Sequence, residues 1–99
     1  MKITILPGAL ERFKRSIETV YPEASDRFVD QLTDRVFNHI DLLTRFPNLG
    51  ALEPELQKFG RPYRRLIIGH FKIIYRVYDQ EILVLDIFDS RQDPDRMKI

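Results

Sequence analysis

The sequence predicts an α+β fold with the element order β-α-α-β-β-β, in which an antiparallel sheet packs on one face against an N-terminal hairpin of two helices. Apolar residues recur every three or four positions in the first half of the chain, as they do on one face of a helix. In the second half they alternate with polar residues, as they do in half-buried strands. The chain has 99 residues, the length of one domain, and we expect that domain to span residues 1–99.

The first strand is expected at Ile3–Leu6, because this short apolar run ends at Pro7–Gly8, a pair that breaks regular structure. A helix is expected next, and it should end at Tyr21, since the residue before Pro22 is disfavoured in the helical region. The apolar face of this helix carries Leu10, Phe13, Ile17 and Val20.

The second helix is expected from about Glu23 to Arg45. Pro22 suits the start of this helix, where its missing N–H costs nothing, and Phe46–Gly50 contains the residues that end it. Two amphipathic helices joined by so short a connection should form an antiparallel hairpin. The apolar stripe of the second helix consists of Phe28, Leu32, Val36, Ile40 and Leu43.

Three strands should form the rest of the sheet. Residues 51–62 are expected to be irregular, because Pro54, Gly60 and Pro62 interrupt any pattern. Gly69–His70 then fits a two-residue hairpin turn with glycine at its first position. The expected strands are Tyr63–Ile68, Phe71–Tyr78 and Ile82–Phe88.

The turn before the last strand decides which side chains face the helices. A two-residue turn at Asp79–Gln80 would place Asp86 among the apolar residues of that face. A three-residue turn at Asp79–Glu81 instead places Leu83, Leu85 and Ile87 there. Burying an unpaired carboxylate costs several kcal/mol, and a slip of one residue inverts a whole strand. We therefore expect the longer turn.

On this register the opposite face of the sheet, called the outer face below, combines basic groups, tyrosines and bare apolar side chains. Its apolar patch is larger than monomers usually leave exposed, which favours a binding surface. The alternative is an ordinary solvated face whose arginines and lysines cover their apolar neighbours. The candidate binding residues are Tyr63, Arg65, Ile67, Lys72, Ile74, Arg76, Tyr78, Val84 and Phe88, with Ile82 and Asp86 beside them and Arg91 following the last strand.

Composition excludes several classes of function. The formal net charge of +1 gives no overall case for nucleic-acid binding. Without cysteine, and with two scattered histidines, the chain should hold no disulfide, no metal and no cofactor. No apolar run approaches the roughly 18 residues that a membrane helix needs. We therefore expect a cytoplasmic protein with no membrane contact.

Four segments, taken in order, resemble the RelE/ParE family of toxins, and we favour its ParE-like branch. The longest are Arg61–Asp79 (RPYRRLIIGHFKIIYRVYD) and Ile82–Pro94 (ILVLDIFDSRQDP). Upstream, Tyr21–Phe28 (YPEASDRF) and Leu42–Gly50 (LLTRFPNLG) are similar to the ParE-type helix hairpin and its exit. The resemblance covers nearly the whole chain. It implies the toxin of a type II toxin–antitoxin (plasmid stabilisation) system, which a cognate antitoxin wraps and neutralises.

The resemblance leaves the target open. ParE-like members inhibit DNA gyrase by protein contact, and we favour this function. RelE-like members cleave messenger RNA on the ribosome with basic residues that Arg65, Lys72 and Arg91 match in position. Those members usually add a late tyrosine or histidine, and Gln92–Ile99 contains neither. Arginine stays charged at neutral pH and is a poor proton acceptor, so we assign no catalytic residue and leave enzymatic activity undecided.

A detoxified family member that serves only as a binding module is a third alternative. The expected partners are the antitoxin and DNA gyrase, with the ribosome and messenger RNA as the alternative to gyrase. A hetero-oligomer of toxin and antitoxin is compatible with this interpretation.

Overall fold

The computed structural model describes residues 1–99, and its helices and strands follow the expected order with additions. The helices are α1 (Pro7–Val20) and α2 (Asp26–Leu42). The strands are β1 (Lys2–Ile5), β2 (Ala51–Leu52), β3 (Arg64–Ile68), β4 (Phe71–Tyr78) and β5 (Glu81–Asp89). Two short 3-10 helices, Pro54–Phe59 and Pro94–Arg96, follow β2 and β5.

The five strands form one sheet in the order β1-β5-β4-β3-β2. β1 runs parallel to β5, and every other neighbouring pair is antiparallel. The α+β class is therefore confirmed, although the sheet is mixed at one edge. A parallel pair needs a long crossover connection, and both helices lie in the connection between β1 and the rest of the sheet.

The start of α2 corrects the expected boundary. The helix begins at Asp26 rather than near Glu23, because the side chain of Ser25 accepts a hydrogen bond from the backbone N–H of Phe28 at 3.1 Å and caps the helix there. Pro22 lies in the preceding turn, and the helix ends at Leu42 rather than Arg45.

The main core lies between the two helices and the sheet. α1 packs against β5 and α2 against β3. Most buried helix residues belong to the predicted stripes, but Ala9 was not predicted and Phe28, which was, is 41% exposed. The T-shaped contact of Phe13 with Phe71 joins the helices to the sheet. The helix members are Ala9, Phe13, Ile17, Leu32, Val36, Ile40 and Leu43; the sheet members are Leu66, Ile68, Phe71, Ile73, Tyr75, Ile82, Val84 and Ile87.

A β-bulge overturns the register that we expected for β5. The turn is the two-residue one, since Tyr78 pairs with Glu81, and both turn residues have positive φ. The register then shifts where Ile74 pairs with Asp86 and Tyr75 with Val84, so that Leu85 is the extra residue.

The two-residue turn and the bulge together set which side chains of β5 face the helices, because the turn puts Ile82 and Val84 there and the bulge brings Ile87 to the same side. Ile82 and Val84 join the main core, while Leu85 packs on the outer face and Leu83 pairs with the outer-face residue Arg76. The predictions for Leu83, Leu85, Ile82 and Val84 were therefore wrong, and the prediction for Ile87 is confirmed. The error has a physical cause. In a regular strand the two-residue turn would place Asp86 in the main core, whereas the bulge puts Asp86 opposite the outer-face residue Ile74.

Contrary to the expectation from the sequence, the outer face is not bare, because other segments of the chain cover much of it. The 3-10 helix Pro54–Phe59 and the C-terminal tail, residues 94–99, contribute Leu56 and Met97 to a second core. The sheet residues of this core are Tyr63, Ile74 and Phe88. All five side chains are at most 8% exposed, so the large apolar patch predicted from the sequence does not exist.

Candidate binding surfaces

The outer face brings together most of the candidate residues, though not all of them in an accessible state. Strand alternation puts Arg65, Ile67, Lys72, Arg76 and Tyr78 on this face. Ile67 and Tyr78 are the exposed apolar members, at 61% and 57%. Val84 lies in the main core and leaves the candidate set, and Tyr63, Ile74 and Phe88 are covered.

A buried carboxylate, which the sequence analysis missed, engages two of the basic candidates. Glu53 has no exposed surface and lies between β2 and the first 3-10 helix. Its Oε1 is 3.0 Å from Lys72 Nζ, and its Oε2 is 3.2 Å from Arg65 Nε. Arg65 also donates a hydrogen bond to the carbonyl of Leu52 at 2.6 Å. Both cations therefore pair with one carboxylate of their own chain, and the cluster keeps a net charge of about +1.

Glu53 could have been suspected from its position before Pro54, where it caps a short helix by accepting a hydrogen bond from Glu55 N–H at 3.4 Å. Nothing local indicates its ion pairs, because Lys72 is 19 positions away along the chain.

The third basic candidate, Arg91, is also paired. Its Nε lies 3.3 Å from Asp89 Oδ1, and its backbone N–H donates to the same oxygen at 3.0 Å. Arg91 is therefore held by a local salt bridge to Asp89. All three residues that match the nuclease pattern therefore contact carboxylates of their own chain.

Asp86 fastens the C-terminal tail to the sheet and to α1. It is 1% exposed, and its Oδ1 lies 2.8 Å from Arg12 Nε. Its Oδ2 accepts a hydrogen bond from the backbone N–H of Lys98 at 3.0 Å. Asp86 is thus buried on the outer face rather than in the main core, and the cost of its desolvation is offset by an ion pair and a hydrogen bond.

Tyr75 fixes the exit of α2 against the sheet. Its hydroxyl donates to the carbonyl of Pro47 at 2.9 Å and accepts from Gly50 N–H at 2.8 Å. Burial raises the pKa of Tyr75, while the Gly50 hydrogen bond and the charge of Arg64 oppose that rise. The chain after α2 is therefore held in one position relative to β4.

An apolar groove of about 440 Å³ runs between the two helices. Leu10, Phe13 and Ile17 of α1 form one wall, and Val29 and Phe37 of α2 form the other. Its polar lining residues are Lys14, Glu18 and Thr33. A groove of this composition fits an apolar face of a partner helix.

No set of three or more histidine, cysteine, aspartate or glutamate side chains is arranged to hold a metal ion. Neither helix has the length and apolar character required to cross a bilayer.

Comparison with known proteins gives one family. The family model described as "ParE toxin of type II toxin-antitoxin system, parDE" matches residues 3–94, which is nearly the whole chain. No curated protein matches the chain.

Proposed function

Because the chain belongs to the ParE toxin family of type II toxin–antitoxin systems, we propose that it inhibits DNA gyrase by protein contact and that a cognate antitoxin neutralises it. Such a toxin, within a plasmid-stabilisation system, acts in the cytoplasm. Inhibition by contact requires a surface complementary to the target, and it requires no residue that transfers a proton.

The engagement of the basic residues by Glu53 is the observation that carries the proposal. A ribonuclease needs side chains that hold phosphate and one that takes the proton of the attacking hydroxyl. Lys72 and Arg65 are instead bound to the fully buried carboxylate of Glu53. Residues 92–99 contain no tyrosine or histidine that could take the proton. This arrangement favours inhibition by contact over cleavage of messenger RNA.

The groove between the helices supports neutralisation by an antitoxin. It presents Leu10, Val29 and Phe37 as half-buried apolar walls on the side of the molecule away from the sheet. An amphipathic antitoxin helix that inserted apolar residues at helical spacing would bury these walls.

A supercoiling assay with purified components tests the proposed target. Relaxed plasmid, ATP and gyrase are incubated with increasing toxin, with and without the antitoxin encoded beside it. We expect inhibition at micromolar toxin and its reversal by the antitoxin. Absence of inhibition would count against the gyrase proposal, and discrete new message ends in primer extension would indicate ribonuclease activity instead. Normal growth on expression without antitoxin would indicate a detoxified binding module.

The antitoxin site is tested with one groove variant and a matched control. Phe37→Gln replaces a groove wall, and Asn38→Gln changes an exposed neighbour on the same helix. We expect Phe37→Gln to inhibit gyrase normally while losing antitoxin affinity, and Asn38→Gln to behave as wild type in both assays. Equal antitoxin affinity of the two variants would remove the groove from the proposal.

A further inference from the structure

Arg76 differs from the other basic residues of β3 and β4. Arg64 donates to the carbonyl of Gly50 at 2.7 Å, and Arg65 and Lys72 are held by Glu53. Arg76 makes no side-chain hydrogen bond and no ion pair, and its Nε is buried without a partner. A partner cannot reach the buried Nε, but the two Nη groups are not buried, so they can donate to a partner's acceptor and pair a charge that has no acceptor within the chain.

The surroundings of Arg76 are those of a contact point for protein. Its guanidinium lies 5.1 Å from the ring centroid of Tyr78, which is 57% exposed, and Leu83 is its half-buried neighbour on β5. Arginine and tyrosine are the residue types that most often carry the binding energy of interfaces. A planar guanidinium held against an aromatic ring presents its N–H groups in a fixed fork, the geometry that a carboxylate accepts.

Nearby charges favour a single carboxylate over a nucleic acid. Glu81 pairs with Tyr78 across the hairpin, and Asp79 occupies the turn between β4 and β5. Glu81 accepts a hydrogen bond from the Thr4 hydroxyl at 2.5 Å and makes no ion pair with Arg76. These two acids would repel a continuous phosphate backbone, whereas one acidic side chain of a protein can approach Arg76 alone.

We propose that Arg76, supported by Tyr78, is the docking point for a single acidic side chain of the target protein and is separate from the antitoxin groove. Side chains alternate along β4, so Arg76 and Tyr78 lie on the face away from the helices, and the groove lies between the helices. The inference rests on the proposed function, because it assigns the surface through which the toxin acts.

The test compares Arg76→Gln and Arg76→Lys with Arg61→Gln, a matched control at an exposed arginine that makes no ion pair. Each variant is measured for growth arrest on induced expression, gyrase inhibition, antitoxin affinity by calorimetry, and binding to plasmid DNA. Loss of one member of a desolvated charge pair should weaken gyrase inhibition by roughly tenfold or more in Arg76→Gln. Arg76→Lys should fall between Arg76→Gln and wild type, since it keeps the charge and loses the fork.

Antitoxin affinity and thermal stability should stay at wild-type values in all three variants. Wild-type growth arrest by Arg76→Gln overturns the inference, whatever the target is. A parallel loss of antitoxin affinity or of DNA binding also overturns it, and identifies the antitoxin or nucleic acid as the occupant. A wild-type protein that does not arrest growth refutes the proposed function, and the inference falls with it. If the wild-type protein arrests growth without inhibiting gyrase, only the gyrase target is refuted. Growth arrest by Arg76→Gln compared with Arg61→Gln then tests the inference.

Discussion

The ammonium of Lys72 lies 3.0 Å from Glu53, a carboxylate with no exposed surface, so the segment after β2 is tied to the start of β4 by an ion pair. Arg65 completes the cluster from β3. Both cations are about one-fifth exposed, at 22% for Arg65 and 20% for Lys72. The cluster therefore fixes the first 3-10 helix over the outer face, and removing its one acid leaves two neighbouring cations without a partner.

We expect Glu53→Gln to lower the free energy of unfolding by about 3 kcal/mol, at the low end for a broken buried pair because the cations keep some water. Denaturant unfolding measures the change. The control is Asp95→Asn, which breaks the pair of Lys58 with Asp95, whose side chains are 61% and 79% exposed. That pair should contribute little. Equal losses in the two variants would mean that the Glu53 cluster does not stabilise the fold.

Gly50 is a position where no side chain fits. A Cβ there would lie 2.5 Å from the carbonyl oxygen of Arg65 and 2.8 Å from a ring carbon of Tyr75, and neither a sheet backbone nor a core ring can move away easily. Gly50→Ala should therefore destabilise the protein by about 2–3 kcal/mol, as overpacking does. At Gly8 the nearest atom is Nη1 of the Arg12 side chain, which can shift more easily than backbone although it is paired with Asp86, so Gly8→Ala should lower the melting temperature less than Gly50→Ala. The reverse order of melting temperatures would contradict the packing around Gly50.

The raised pKa of Tyr75 implies that the protein loses stability at alkaline pH. Its pKa is raised above the ordinary 10.0 by burial, so the unfolded chain loses this proton before the folded chain does. The stabilisation is complete below pH 10 and is lost as the pH rises through the folded-state pKa. Urea unfolding across this range should show the decline, and tyrosinate absorbance from Tyr75 should appear at a higher pH in the folded protein than in the unfolded chain.

Tyr75→Phe separates the titration of Tyr75 from its hydrogen bonds. The variant leaves Gly50 N–H and the Pro47 carbonyl without their partner, so it should be less stable by about 1–3 kcal/mol at neutral pH. Its stability should then fall less steeply above pH 10 than that of wild type. Tyr78→Phe, at a mostly exposed ring, serves as the control. An unchanged alkaline slope in Tyr75→Phe would show that other groups cause the decline.

The register of β5 after its two-residue turn predicts that truncating two neighbouring side chains lowers the free energy of unfolding by unequal amounts. Val84 has no exposed surface and lies in the main core, whereas Leu83 is half-buried on the outer face. Val84→Ala should cost about 2 kcal/mol through lost burial and a residual cavity, and Leu83→Ala less than half of that. Chemical denaturation of the two variants gives the order. A larger loss for Leu83→Ala would indicate the register with a three-residue turn that was expected from the sequence.

The candidate binding residues were found in part from the sequence. Strand alternation correctly put Arg76 and Tyr78 on the outer face, because β4 is regular along its whole length. It could not show that Arg76 lacks a partner while Lys72 has one. That difference depends on Glu53, which belongs to a segment that we expected to be irregular.

The sequence was sufficient to predict the α+β class, the order of the main elements and most of the apolar stripe of each helix. These features follow from periodicity, proline and glycine, which act over a few neighbouring residues. Only the tertiary structure decided the bulge at Leu85, the burial of Ile74 and Phe88 beneath Met97, and the state of each charge on the outer face. Each of these depends on contacts between residues far apart in the chain, where the net free energy of burial and pairing outweighs local pattern.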